Sequence, residues 1–172
     1  MDAARPRPHP APSFPGLYAA TVLSASDADH RGRVQVVVPS VYDGDQSAAA
    51  VWARPSLPWG CFLMPEEGDH VWVAFEGGDP SAPVWLGQWI AADRAPDDAK
   101  VSPPAKRLIR SASGHEVLLD DTSGQEKLLI QHAGGAKIEM TANELTIKTT
   151  GTLKVEAAQI VLKASSVDVQ AA

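Results

Sequence analysis

The last third of the 172-residue chain repeats one pattern, two apolar residues two positions apart, returning every seven or eight residues. The pairs are Ile138/Met140, Leu145/Ile147, Leu153/Val155, Ile160/Leu162 and Val167/Val169. Residues two apart share one face of a strand, whereas neighbours on a helix face are three or four apart. Lys137, Glu139, Thr146, Lys148, Lys154, Glu156, Lys163 and Asp168 fill the places between and beside the pairs. The pattern predicts short strands with one apolar face, joined by tight corners. A coiled coil shares the mean spacing near seven but needs apolar positions three and four apart, and the surrounding Thr, Val and Ile favour strands. Repeated short strands with a single apolar face read as a β-solenoid or an intertwined β-helix.

One thin layer of apolar pairs cannot repay the entropy of ordering its own backbone. Strands this short, with no second sheet or covering helix after them, need partners for both the apolar face and the backbone hydrogen bonds. Copies of the same segment supply both. The expectation is a homo-oligomeric β-rod of wound identical tails, with the ten paired residues as its interface core.

Upstream the pattern changes. Strand candidates are Leu17–Leu23, Arg33–Val38, Ala50–Arg54, His70–Phe75 and Pro83–Gln88, with turn residues at Asp27–Gly32, Asp43–Gly44, Gly68–Asp69 and Gly77–Pro80. Five strands without a helical period predict an all-β domain, a small closed barrel of the oligonucleotide/oligosaccharide-binding (OB) kind, with an open sandwich as the alternative. Residues 1–15 hold prolines at 6, 8, 10, 12 and 15 and read as a flexible, extended segment, either a disordered end or a peg onto a neighbouring subunit. Residues 91–106 lose alternation and gain proline and charge, as a linker does. Arg107–Ser111, Glu116–Asp120 and Lys127–Gln131 follow as the leading strands of the rod. The expected organisation is therefore 1–15 segment, 16–90 barrel, 91–106 linker and 107–172 β-helix spike.

Charge narrows the partners. A net charge of −6 and a pI near 5.3 weigh against wrapping nucleic acid or lying on an anionic membrane. No apolar run approaches the ~20 residues of a membrane span, and MDAARPRPHPAP lacks a secretory signal's apolar stretch. Synthesis in the cytoplasm is expected. Cys61 is the sole cysteine, which excludes an intrachain disulfide or thiol cage, and it is expected to be a small buried side chain between Gly60 and Phe62. His9, His30, His70, His115 and His132 are scattered singly without zinc spacing. Glu66-Glu67, Asp97-Asp98 and Asp120-Asp121 are adjacent, so on a strand they point to opposite faces and do not share a proton. With neither a nucleophile elbow nor a phosphate loop, no enzyme, metal or cofactor is expected. Trp52, Trp59, Trp72, Trp85 and Trp89 are expected to fill the core or a subunit interface. Arg33 either pairs with Asp27 or Asp29 across a turn or stays solvated.

Several phrases are more specific. Gly32-Arg33-Val34-Gln35-Val36-Val37-Val38-Pro39, Trp52-Ala53-Arg54-Pro55, Trp59-Gly60 and Met64-Pro65-Glu66-Glu67-Gly68-Asp69-His70 are followed by Phe75-Glu76-Gly77-Gly78-Asp79-Pro80 and Val84-Trp85-Leu86-Gly87. They resemble the barrel domain of the phage baseplate assembly protein V family, the spikes shared with VgrG proteins of type VI secretion. Ser113-Gly114-His115-Glu116-Val117-Leu118-Leu119-Asp120-Asp121 with Gly124-Gln125-Glu126 is similar to that family's join to a triple-stranded β-helix. The barrel motif residues are then Gly32, Arg33, Pro39, Pro65, Gly68, Asp69, Phe75, Gly78, Asp79, Pro80 and Gly87.

The resemblance implies a homotrimeric central spike of a contractile tail or injection machine, without enzymatic activity, carried in a phage-like or extracellular particle and driven through a target envelope in transient contact. The barrel begins near residue 16, so a separate hub protein is expected. No lysozyme-sized insert separates barrel and rod. The tail ends in Ser165-Ser166-Val167-Asp168-Val169-Gln170-Ala171-Ala172 without a His-x-His apex, so a PAAR-type tip protein is expected to cap it. Two other readings share parts of the pattern. An OB nucleic-acid module would require a basic, aromatic-studded groove, and a trimeric receptor-binding fibre would share the rod but leave the barrel phrases unexplained.

Overall fold

A computed structural model describes residues 13–42, 50–91, 94–100 and 102–170. The chain divides into two units between Lys100 and Val101. Most of the proline-rich segment and the Asp43–Gly44 turn lie outside the described residues.

The first unit is a closed five-strand barrel built from β1 (Tyr18–Ser24), β2 (Val34–Val37), β3 (Val51–Pro55), β4 (His70–Phe75) and β5 (Pro83–Gln88), in the order β1-β2-β3-β5-β4. Closure leaves no open edge. Pairs are antiparallel except β3 with β5, where Arg54 faces Val84 and Pro55 faces Trp85. The observed β4 and β5 coincide with the expected strands, and the other three differ by one residue at one or both ends. Strict alternation sends Ala20 and Val22, Val34 and Val36, Ala53, Val71, Val73 and Phe75 inward. β-branched valines suit so narrow an interior. Trp85 is the largest side chain of this core, 2% exposed. Its indole N–H donates to the buried Gly32 carbonyl at 3.1 Å.

Two glycines make close approaches that a side chain would block. Gly32 sits at φ +72° with Phe62, Pro55 and Met64 against the place a Cβ would occupy. Gly78, at φ +79°, has Ser13 in that place, and its carbonyl accepts the Phe14 N–H at 2.9 Å. Phe14, Tyr18, Tyr42 and Phe75 form a ring cluster beside it.

The second unit is a five-stranded antiparallel meander of β6 (Lys106–Arg110), β7 (Glu116–Asp120), β8 (Lys127–Gln131), β9 (Lys137–Met140) and β10 (Leu145–Lys148). The first two apolar pairs lie on β9 and β10 and find each other within the chain, Ile138 opposite Ile147 and Met140 opposite Leu145. The Thr141–Glu144 turn permits this: the Thr141 N–H donates to the Glu144 carbonyl at 2.9 Å. Winding between copies is therefore not needed to pair these two strands, contrary to the expectation that every strand needs a second chain. Leu153/Val155, Ile160/Leu162 and Val167/Val169 lie in no strand of this single chain. A strand exists only where its N–H and C=O groups have a ladder partner.

Candidate assembly surface

Register puts chemistry on the second sheet before any side chain is considered. Ile109, Val117, Ile130, Ile138 and Ile147 stand directly opposite one another across all five strands. Leu119, Leu128, Met140 and Leu145 form a parallel row two residues away, and so on the same face. The result is an unbroken apolar face. Among the described residues nothing covers it: Ile109 is 57% exposed, Ile130 46%, Leu145 61% and Ile147 56%. Past the sheet, Leu153, Val155, Ile160, Leu162, Val167 and Val169 are exposed as well, Val169 at 90%.

The other face is built differently. Leu108, Leu118 and Leu129 run along its middle, with Leu118 and Leu129 buried. Ionic rows flank them. Lys106 faces Asp120 at 3.7 Å, Arg110 pairs with Glu116, and Glu139 lies between Lys127 at 4.0 Å and Lys137 at 3.1 Å. Asp120 is buried, and its carboxylate accepts from the Thr122 hydroxyl at 2.5 Å and N–H at 3.0 Å, which with Lys106 and Lys127 holds it below the usual carboxylate range. Its neighbour Asp121 is exposed and pairs with Arg107. One face thus satisfies itself and the other does not.

The ten residues expected as an interface core fall into two sets. Ile138, Met140, Leu145 and Ile147 are brought together on the sheet, whereas the other six follow on a segment without strand pairing. Sequence reading missed Ile109, Val117, Leu119, Leu128 and Ile130 as members of the same face. The signal was alternation within the leading strands, but only cross-strand register could place it on the same side as the later pairs.

The barrel motif residues do not converge on a site. Arg33 pairs with Asp27 through Nη2 at 2.6 Å and Nε at 3.1 Å, and with Asp29 at 2.7 Å, so the paired alternative holds. Asp27 also accepts the backbone N–H groups of Asp29, Arg31 and Arg33, and these bonds, led by the guanidinium, hold its carboxyl far below the usual range. Pro39 and Pro65 flank turns; Gly68 donates to the Val22 carbonyl at 2.9 Å, and the Asp69 carboxylate accepts the Glu66 N–H at 2.8 Å. Asp79 accepts from Ser81 at 2.9 and 2.7 Å, the Pro80 carbonyl accepts the Tyr42 hydroxyl, and Gly87 faces Trp72 at a bulge. These residues shape the barrel.

An open cleft of about 370 Å³ is lined by Arg31, Arg33, Arg54, Pro55, Ser56, Glu76 and Val84. Each arginine already has a carboxylate: Arg31 has Asp29, Arg33 has Asp27 and Asp29, and Arg54 has Glu76. A groove neutralised in this way has little to offer a phosphate backbone.

Two expectations are corrected, those for Cys61 and for the His115 and His132 pair. Cys61 is exposed, because the loop that carries it turns Leu57 and Met64 onto the core instead. Trp59 is fully exposed, and Trp52 and Trp72 are about 40% exposed, so only Trp85 is a fully buried tryptophan among the described residues. Trp52 lies beneath the Arg33 guanidinium at 5.6 Å. His115 and His132, expected to be isolated, have ring centroids 4.4 Å apart because β7 and β8 bring their two hairpin ends side by side. Among the described residues no group of three or more His, Cys, Asp or Glu could hold a metal ion, and no helix is long and apolar enough to cross a membrane.

Comparison with known proteins falls on these two units in order. Residues 18–89 match the type VI secretion system/phage-baseplate injector OB domain, and residues 106–172 match the phage baseplate V C-terminal trimerisation domain. These define an injector barrel joined to a trimerisation unit. The two units are therefore similar, in this order along the chain, to the barrel and the C-terminal trimerisation domain of phage baseplate V proteins. Similar proteins include the type VI secretion system spike protein VgrG3 of Vibrio cholerae, 27% identical over 141 residues, and VgrG1c of Pseudomonas aeruginosa, 28% identical over 162 residues. The actin cross-linking toxin VgrG1 of V. cholerae is 26% identical over 141 residues. The alignments cover 73%, 83% and 73% of this chain respectively, but only 14%, 22% and 13% of those relatives.

Proposed function

We propose that this protein is a structural component, the central spike of a contractile tail or injection machine, and that three copies assemble through residues 107–172 into an intertwined triple-stranded β-helix. The observation that carries the reading is the uncovered apolar face running from Ile109 to Ile147, followed along the chain by the exposed pairs to Val169. Two further copies supply what one chain lacks: a dry partner for that face and ladder partners for residues 149–170. Interchain hydrogen bonding over a closed apolar core gives a rod that transmits axial force without unfolding.

In this reading the spike does no catalysis. The barrel end meets a hub protein, and a PAAR-type protein caps the far end, where Val167 and Val169 are exposed. The chain is made in the cytoplasm and incorporated into a virion or an extracellular particle, where sheath contraction drives it through a target envelope. Charge pairing in the arginine cleft speaks against the nucleic-acid alternative. Deleting the gene from its host tests the function: the expected result is loss of envelope puncture with no assembled central spike in electron micrographs. Normal, fully armed particles would contradict it.

A further inference from the structure

The connection from β3 to β4, residues 56–69, has no helix or strand of its own. Connections of this length without secondary structure are uncommon inside a compact domain and are either functional or linker-like. Leu57 and Met64 at its two ends pack against the barrel core. In the stretch between them Trp59 is 101% exposed and Leu63 60%, while Phe62, whose ring edge lies against Gly32, still leaves 67% of its surface open. No charged residue occurs from Pro55 to Pro65. A single exposed Leu would need no account, but a bare indole beside Phe and Leu on one uncharged loop does.

Charge selects the occupant. The described barrel residues carry seven carboxylates against three arginines, so contact between like copies is favoured where the surface is uncharged. A residue near a threefold axis meets its own copies, which forbids a charge there and favours an apolar side chain. The trimerisation unit supplies those copies. Each barrel is tethered to it by the stretch from Trp89 to Lys106, and tethering of this length raises the local concentration of the other two barrels to roughly the millimolar range.

We propose that the Trp59–Leu63 loop is a barrel-to-barrel contact in which the three copies bury Trp59, Phe62 and Leu63 against one another. The proposal rests on the trimeric reading above.

Cys61 lies inside the loop and is the protein's sole cysteine, which makes it a native probe. The purified full chain is treated with a short bismaleimide, in parallel with a monofunctional maleimide and a solution mass measurement. At three chain masses, the expected result is an interchain adduct whose yield does not fall on dilution, and which Trp59→Asp or Leu63→Asp reduces to background. A trimer whose Cys61 accepts the monofunctional reagent but gives no interchain adduct overturns the loop contact and leaves the trimer standing. An adduct that survives both aspartate variants also overturns it. A mass of one chain overturns the trimeric reading and the contact with it.

Discussion

Trp85 fills the barrel and also answers a buried carbonyl, so its two roles can be separated by substitution. Trp85→Ala removes the largest core side chain and should cost about 3–5 kcal/mol. Trp85→Phe keeps much of the volume but orphans the Gly32 carbonyl and should cost about 1–3 kcal/mol. Denaturant unfolding of the full chain, followed by the barrel transition, measures both. Asp27 sets a pH dependence. Its carboxyl is depressed in the folded state, so the stability it contributes is fully present above the unfolded value near pH ~3.9 and is lost as pH falls from there toward the folded value. The barrel's thermal midpoint should therefore fall below about pH 4, and Asp27→Asn should lower the neutral-pH midpoint while flattening the acid limb. The Asp27–Arg33 pair was one of the readings the sequence left open, and the two guanidinium N–H bonds to the carboxylate decide it. The exposure of Cys61 was not legible: it follows from Leu57 and Met64 winning the inward positions, a competition that local composition does not decide.

Strands were the most legible level, because alternation is set by the two-residue period of the pleat, and β4, β5, β7 and β8 fall where the pattern places them. What alternation cannot supply is which strands neighbour one another. The Ile109–Val117–Ile130–Ile138–Ile147 row exists only through register, and with it the leading strands share the exposed apolar face of β9 and β10. A charge on this face should act where one on the opposite face does not. Ile130→Asp is expected to abolish trimerisation, since each such side chain contributes about 1.5–3 kcal/mol per chain when buried. Lys148→Ala, on the polar face, should leave the oligomer mass unchanged. Sedimentation of the two variants beside the parent checks the contrast. Dissociation by Lys148→Ala but not by Ile130→Asp would place the interface on the polar face.

At the scale of the molecule, the two units solve stability differently. The barrel closes on itself and has a core of its own, whereas the meander leaves one face and both outer edges open. Cutting after Lys100 should therefore leave a folded barrel and remove the trimer, with only weak self-association through the Trp59 loop. The family phrases were legible because turn glycines and Asp-Pro corners are local chemistry. The lack of strand pairing over residues 149–170 in the single chain was not, because apolar alternation marks a strand face without supplying its ladder partner.

The most direct measurement is the solution mass of the full-length protein across a wide range of concentration. One species at three times the 18.2 kDa chain mass is expected, with residues 149–170 protected from hydrogen exchange. A folded species at a single chain mass, with those amides exchanging freely, would contradict the trimeric spike.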